Sequence, residues 1–249
     1  MRIPLICALA FTCAVPASAA EKKKVDPYAA IVDATDRSDE DRKDDEARKP
    51  VDVLRFIEVK PGMKVADVGA GGGYTTELLA RAVGEKGVVY SHNNKLFTEK
   101  FVGTKLDERL AKPANKNVVK VIQEFDDPLP PEAKNLDIVI NAFTYHDTVW
   151  VGTDRDKMNQ AIFAALKPGG IYVVLDHADK PGGGTADTKT LHRIEQKSVV
   201  DEVKKAGFQL ARTGDFMKNP ADPHDKIVFD PSIRGKTDRF ALAFVKPAK

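Results

Sequence analysis

Val65-Ala66-Asp67-Val68-Gly69-Ala70-Gly71-Gly72-Gly73-Tyr74, continued by Thr75-Thr76-Glu77-Leu78-Leu79-Ala80-Arg81-Ala82, is the stretch from which the rest of the chain is placed. An apolar run ends in a carboxylate and a cluster of glycines, then gives way to apolar residues at helical spacing. The segment reads as strand, tight turn and helix N-terminus. Glycines let a backbone reach positive φ and approach a ligand closely, and the first free N–H groups of the following helix present an electropositive end. Such a turn suits a cofactor, and the spacing decides which. Counting from Gly69 and Gly71, Tyr74 stands where the third glycine of a dinucleotide fingerprint belongs, which weakens that assignment. A Walker A loop ends in Gly-Lys-Ser/Thr, and no lysine follows these glycines until Lys86, which removes a nucleoside triphosphate site.

What remains, Asp67-Val68-Gly69-Ala70-Gly71-Gly72-Gly73, resembles the first motif of class I S-adenosylmethionine-dependent methyltransferases. The resemblance runs from about residue 50 to 246 and is strongest over Gly62-Met63-Lys64-Val65-Ala66-Asp67-Val68-Gly69-Ala70-Gly71-Gly72-Gly73. It implies an α/β fold: a Rossmann-like, doubly wound sheet of about seven strands in the order 3-2-1-4-5-7-6, the last antiparallel, with helices on both faces. It also implies S-adenosyl-L-methionine as cofactor, held by Asp67, Gly69, Ala70, Gly71 and Gly73. In the family an acidic residue ending the second strand takes both ribose hydroxyls, and here Asn93 stands in its place. An acid in the loop after the third strand takes the adenine amino group; Asp126 or Asp127 fits, with Phe125 as the ring contact. Asn141, near the end of the fourth strand, completes the expected cofactor set.

The periodicity along the chain agrees with that fold. Val88–His92, Asn117–Ile122, the nearly all-apolar Leu136–Ala142 and Ile171–Leu175 read as further strands, and Phe208–Arg212 with Arg239–Val245 as a closing antiparallel pair. Pro50–Ile57 reads as a helix packed on the sheet edge. Asp154 caps another running to Leu166, stopped by Lys167-Pro168-Gly169-Gly170. A last helix is expected from Leu191 to Gly207. Asp215–Lys236, rich in proline, is an insertion expected to overhang the substrate side.

Composition bounds the function. The chain has 249 residues, 42% of them hydrophobic, enough for one large α/β domain, and its net charge of +2 is spread over 39 basic and 37 acidic groups. No concentrated basic excess points to nucleic acid. Residues 1–20 differ in kind: Arg2, then the apolar run Ile3–Val15, then Pro16-Ala17-Ser18-Ala19-Ala20 give the pattern of a secretory signal peptide, with a membrane anchor disfavoured because the run is shorter than the ~20 residues of a span. Both cysteines, Cys7 and Cys13, lie inside it, so a cleaved chain has no thiol and no disulfide. The expectation is export, to the periplasm, with no membrane span after cleavage. Residues 21–49 are densely charged and read as a solvated extension with one or two short helices capping the domain of residues 50–249.

Methyl transfer from a sulfonium is an in-line displacement, catalysed mainly by alignment and electrostatics. If the acceptor must lose a proton a base is needed, and the carboxyl ends of the fourth and fifth strands supply His146, Asp147 and His177, with Asp176 and His192 as further candidates. Metal ligation is not expected, because no H-x-x-x-H or comparable spacing is present. The acceptor is taken to be a small molecule. The alternative is a non-catalytic binding protein on the same scaffold, suggested by Asn93 and by export to a compartment where the cofactor is not made.

Overall fold

The computed structural model describes residues 26–248, so the expected signal peptide lies outside the described residues. Seven strands, β1 (Lys64–Val68), β2 (Val88–Asn93), β3 (Val118–Ile122), β4 (Leu136–Ala142), β5 (Leu166–His177), β6 (Gln209–Gly214) and β7 (Arg239–Val245), form one sheet in the order β3-β2-β1-β4-β5-β7-β6. Neighbours from β3 to β5 are parallel, and β7 is antiparallel to both β5 and β6. This is the expected Rossmann-like, doubly wound order. The helices are α1 (Pro27–Val32), α2 (Asp39–Arg48), α3 (Pro50–Ile57), α4 (Tyr74–Val83), α5 (Lys95–Phe97, running into a π-helical turn at Thr98–Val102), α6 (Lys105–Leu110), α7 (Tyr145–Trp150), α8 (Arg155–Ala165) and α9 (Gln196–Lys205). None is long and apolar enough to cross a membrane.

Alternation along the buried strands divides the core into two apolar layers, one on each face of the sheet. Val139, Tyr172, Val174 and Phe244 pack with Met158, Ile162 and Val199 of α8 and α9. Ile138, Ile140, Val173 and Ala243 pack with Leu78, Leu79 and Val83 of α4. Burying a side chain of this size stabilises by roughly 1.5–3 kcal/mol, which is why β4, covered on both faces, has no polar position between Ile138 and Ile140. The strand order reverses between β1 and β4, and the crevice beyond their carboxyl ends is where a doubly wound sheet binds ligands.

Three expectations are corrected. Helix α3 lies on the sheet's face rather than its edge: Val53, Leu54 and Ile57 join the layer of Ile138 and Val173. Lys167-Pro168-Gly169-Gly170 does not separate helix from strand but belongs to β5, because Gly169 N–H donates to the Lys246 carbonyl (2.8 Å) and Lys246 N–H to the Gly170 carbonyl (2.9 Å); the register shift between Leu136 and Ile138 absorbs the irregularity. Helix α9 begins at Gln196 rather than Leu191, since His192 adopts φ +54° and Ile194 bridges to Ala178.

Candidate active site

The turn between β1 and α4 holds three left-handed glycines, required for two different reasons. At Gly69 (φ +75°) a Cβ would lie 2.5 Å from the Thr144 methyl carbon, and at Gly73 (φ +83°), the N-cap of α4, 2.8 Å from Leu106. At Gly71 (φ +57°) a Cβ would meet nothing within 4 Å. Gly69 and Gly73 therefore serve internal packing, while Gly71 borders open space where another molecule's atoms fit against the backbone.

The turn is held from β2. Gly69 and Ala70 N–H both donate to the His92 carbonyl (3.0 and 2.8 Å), and Gly69 N–H also reaches His92 Nδ1 (3.3 Å). His92 Nε2 lies 2.9 Å from the Gln123 carbonyl, which requires it to carry the proton and leaves Nδ1 as acceptor. Burial pulls this ring's pKa down to about 4, so it stays neutral. Sequence reasoning passed over His92; its only signal was its place in β2 beside the glycines.

Asn93 accepts from Gly71 N–H (2.9 Å) through Oδ1 and donates to the Gly71 carbonyl (3.0 Å) through Nδ2, at 1% exposure. Expected to face ribose, it clamps the turn instead. An amide makes this two-way bond where a carboxylate, having no donor, cannot. Asp67 is likewise internal: it accepts from Thr76 Oγ1 (2.7 Å), and burial raises its carboxyl to about 6 against the opposing bonds from Thr76. The motif's acid thus ties β1 to the first turn of α4 from below.

Residues 26–48 form the two short helices expected there, and ion pairs dock them on the domain where a solvated extension was expected. Arg109 of α6 donates to the Gly72 carbonyl (2.6 Å), to both Asp41 oxygens (2.6 and 2.8 Å) and to Glu77 (2.7 Å), joining α2 to the glycine turn and α4. Tyr74 donates to Asp45 (2.5 Å), which also holds Arg37 bidentately, and the Arg48 guanidinium lies 4.7 Å from the Tyr74 ring centroid. Asp41→Ala is expected to lower stability by about 1–2 kcal/mol in urea titration and to speed tryptic cleavage at Arg42 and Lys43. An unchanged cleavage rate would mean that α2 does not depend on Arg109.

On the side expected for adenine, Phe125 is buried in the core, edge-on to His92 (5.2 Å) and Phe97 (5.4 Å), rather than lining a surface cleft. Asp126 accepts from Asp154 N–H (2.9 Å) at the start of α8, and Asp127 is exposed. Asn141 stands apart from these. It is fully buried in β4, one residue beyond the Asp67–Ile140 register pair, and neither its Oδ1 nor its Nδ2 has a hydrogen-bond partner among the described residues. An unmet buried amide costs about 1–3 kcal/mol per group, so this side chain suits a polar ligand or bound water.

The carboxyl ends of β4 and β5 bring His146, Asp147, Asp176 and His177 together, and His192, the further candidate, joins them from the loop before α9. Thr144 donates to the Gly69 carbonyl (3.0 Å), seating the start of α7 against the glycine turn. Asp176 accepts from both His146 N–H (2.8 Å) and His146 Nδ1 (2.7 Å). His146 Nε2 is 3.2 Å from His192 Nδ1 and 3.2 Å from Asp147 Oδ1. Burial pulls the His146 pKa down, but Asp176 and Asp147 outweigh it and raise it to about 10. This shift favours the protonated, donating ring over the free base expected from the sequence. Asp147 is held below the usual carboxylate range because the His146 and His192 bonds overcome its burial. His177 is kept neutral by burial and by the neighbouring His146 charge, and its Nδ1 meets Thr237 Oγ1 at 2.8 Å.

Comparison with known proteins agrees with this architecture. Residues 49–206 match the family model of protein-L-isoaspartate(D-aspartate) O-methyltransferase. The chain is 32% identical over 190 residues to the ubiquinone/menaquinone biosynthesis C-methyltransferase UbiE of Vibrio vulnificus, covering 74% of this chain and 62% of that protein. It is 32% identical over 184 residues to UbiE of Shewanella sp. strain W3-18-1, covering 74% and 64%. The chain therefore spans less than two thirds of the length of these relatives. A SAM-dependent methyltransferase from Aquifex aeolicus shares the fold, with TM-score 0.61 at 21% identity over 88% of this chain and 98% of that one. With the family model covering more than half of its residues and the seven-stranded sheet in the matching order, the chain belongs to the protein-L-isoaspartate(D-aspartate) O-methyltransferase family, within the class I methyltransferases whose cofactor is S-adenosyl-L-methionine.

Proposed function

We propose that this chain binds S-adenosyl-L-methionine in the crevice beyond β1 and β4 and transfers its methyl group to a small-molecule acceptor. The observation that carries this reading is Gly71, a left-handed glycine with open space at its Cβ position in a turn whose other two left-handed glycines are packed tight. The unpartnered amide of Asn141 gives a second polar point of contact on the same side of the sheet. In this reading the Gly69–Gly73 backbone and Asn141 hold the cofactor, Asp67, His92 and Asn93 keep the turn rigid, and Asp126 and Asp127 remain candidates for the adenine edge.

When bound, the cofactor supplies an electrophilic methyl on a sulfonium. The chain's own contribution is alignment. Both ring nitrogens of His146 are taken by Asp176, Asp147 and His192, so in the metal-free protein this ring acts at the acceptor end through its charge, which favours a nearby anionic oxygen. Acceptors that are already anionic, or that lose their proton before transfer, suit this arrangement better than those needing a base.

Two further parts of the proposal concern the whole protein: export directed by residues 1–20, and a small-molecule rather than nucleic-acid partner. The test is calorimetric titration with S-adenosylhomocysteine of protein recovered from the periplasmic fraction, its first residue determined by N-terminal sequencing. One-site binding and an N-terminus at Glu21 are expected. Absence of binding would sink the cofactor assignment; binding without turnover on any acceptor would point to the non-catalytic alternative.

A further inference from the structure

His146, Asp147 and His192 share a geometry that hydrogen bonding alone does not demand. Their nearest donor atoms form a triangle: His146 Nε2 to His192 Nδ1 3.2 Å, His146 Nε2 to Asp147 Oδ1 3.2 Å, His192 Nδ1 to Asp147 Oδ1 3.4 Å. A tetrahedral zinc-type ion with bonds of about 2.0–2.1 Å to nitrogen and oxygen holds its ligand atoms about 3.3 Å apart. An octahedral face at the same bond length is tighter, at about 2.9 Å. The observed edges fit the tetrahedral case.

Each corner is fixed by a contact outside the triangle. The buried Asp176 carboxylate takes the His146 backbone N–H and Nδ1, leaving Nε2 to the triangle; the same carboxylate–histidine arrangement orients metal-bound imidazoles. Trp150 Nε1 donates to Asp147 Oδ1 (2.7 Å). His192 is held at φ +54° because the next residue, Arg193, is fully buried, pairs bidentately with Asp222 (2.9 and 3.1 Å) and donates to the Lys226 and Ala178 carbonyls (both 3.0 Å). A left-handed histidine costs about 1–3 kcal/mol of backbone strain, which the surroundings must hold in place. His146 is nearly enclosed, whereas Asp147 and His192 keep part of their side chains exposed, so the cluster has a side open to solvent.

From this geometry we propose that His146 Nε2, Asp147 and His192 Nδ1 form a site for a divalent zinc-type cation, with a fourth coordination position free for water or an oxygen ligand. Two imidazoles and one carboxylate are the donor set of a zinc site with an open position. No spacing in the sequence signals it because His146 and His192 stand on elements far apart in the chain, and the loop that carries His192 is placed by Asp222 from the proline-rich insertion. An ion bound there displaces the His146 Nε2 proton and supplies the positive charge in its place; the site is tested with the metal alone, apart from the methyltransferase proposal.

The experiment uses the full protein, stripped with a chelator and titrated with zinc chloride by calorimetry and with cobalt(II) followed in the visible. One tight zinc site and the intense d–d absorption of four-coordinate cobalt are expected. His192→Asn, which keeps a residue tolerant of positive φ, should abolish both, and Asp176→Asn should weaken zinc binding by about 10–100-fold. His224→Asn, in the separate His224–Asp238 pair, should change neither. Circular dichroism of His192→Asn establishes that the loss is not unfolding. Absence of a zinc site in the wild-type protein, or undiminished binding by His192→Asn, would overturn the proposal and leave the cluster as a network held by a proton.

Discussion

Valine at Gly71 is expected to abolish S-adenosylhomocysteine binding in calorimetry while leaving a folded protein, and alanine at Gly69 to destabilise the fold itself. The two differ in what a side chain would meet. At Gly71 no atom lies within 4 Å of a Cβ, so the fold bears only the strain of a left-handed L-residue, about 1–2 kcal/mol. The new methyls would instead occupy the space proposed for the ligand. At Gly69 the same strain is joined by a 2.5 Å approach to the Thr144 side chain, whose hydroxyl is bonded to the Gly69 carbonyl. Overpacking of this kind adds about 1–3 kcal/mol, so Gly69→Ala should lose roughly 2–5 kcal/mol in urea denaturation. If Gly71→Val bound the ligand as the wild type does, the proposed cofactor site would be in the wrong place. If Gly69→Ala were as stable as the wild type, the fit between Thr144 and the turn would not matter to the fold.

Arg193→Ala is expected to cost about 3–5 kcal/mol, the usual penalty for stranding one member of a buried ion pair. Arg193 and Asp222 both have fully buried side chains, and Asp222 also accepts from the Asp238 and His224 N–H groups. Those two N–H groups reach different oxygens, so Asp222→Asn, with one acceptor oxygen and an NH₂ turned toward donors, keeps only one of these bonds and should also be destabilised. Because Arg193 fixes the backbone beside His192, the alanine variant should also lose zinc affinity through position rather than through a lost ligand. Chemical denaturation of the three proteins checks the first claim, and a loss in Arg193→Ala below about 1 kcal/mol would place the pair among those of little worth.

What the sequence showed best was what repeats locally. Alternation and helical spacing depend on neighbours along the chain, so the strands and the glycine turn were legible, while the strand order, and with it the gathering of His146, Asp147, Asp176 and His177 at one sheet end, followed from the family resemblance. What it hid were bonds between distant residues. Asn93 looked like a weakened ribose contact because its partner, the Gly71 backbone, is adjacent only after β1 and β2 pair. Residues 26–48 looked solvated because charge density was read without the partners: Asp41 meets Arg109, and Asp45 meets Tyr74. His146 looked like a base near neutral pH because its burial, and the short distances to Asp176 and Asp147 that raise its pKa further, exist only in the folded chain. Lys167-Pro168-Gly169-Gly170 looked like a turn because its ladder partners lie at the far end of the chain.

The placement of β7 governs how the chain assembles as it is made. It is the last of the seven strands to be synthesised, yet it lies between β5 and β6, and among the described residues β6 pairs with no other strand. A nascent chain that has emerged only through Gly214 holds β6 with nothing to join, and β5 with one side open. Closing the sheet waits for Arg239–Val245 to insert between them, a long-range step of the kind that slows folding. Until then β5 presents an unpaired, apolar edge of Val173, Val174 and Leu175, the kind of surface on which incomplete chains associate. Premature termination before Arg239 therefore removes two strands from the sheet rather than one, and ribosome-stalled chains of that length should be held by chaperones until the final segment is released.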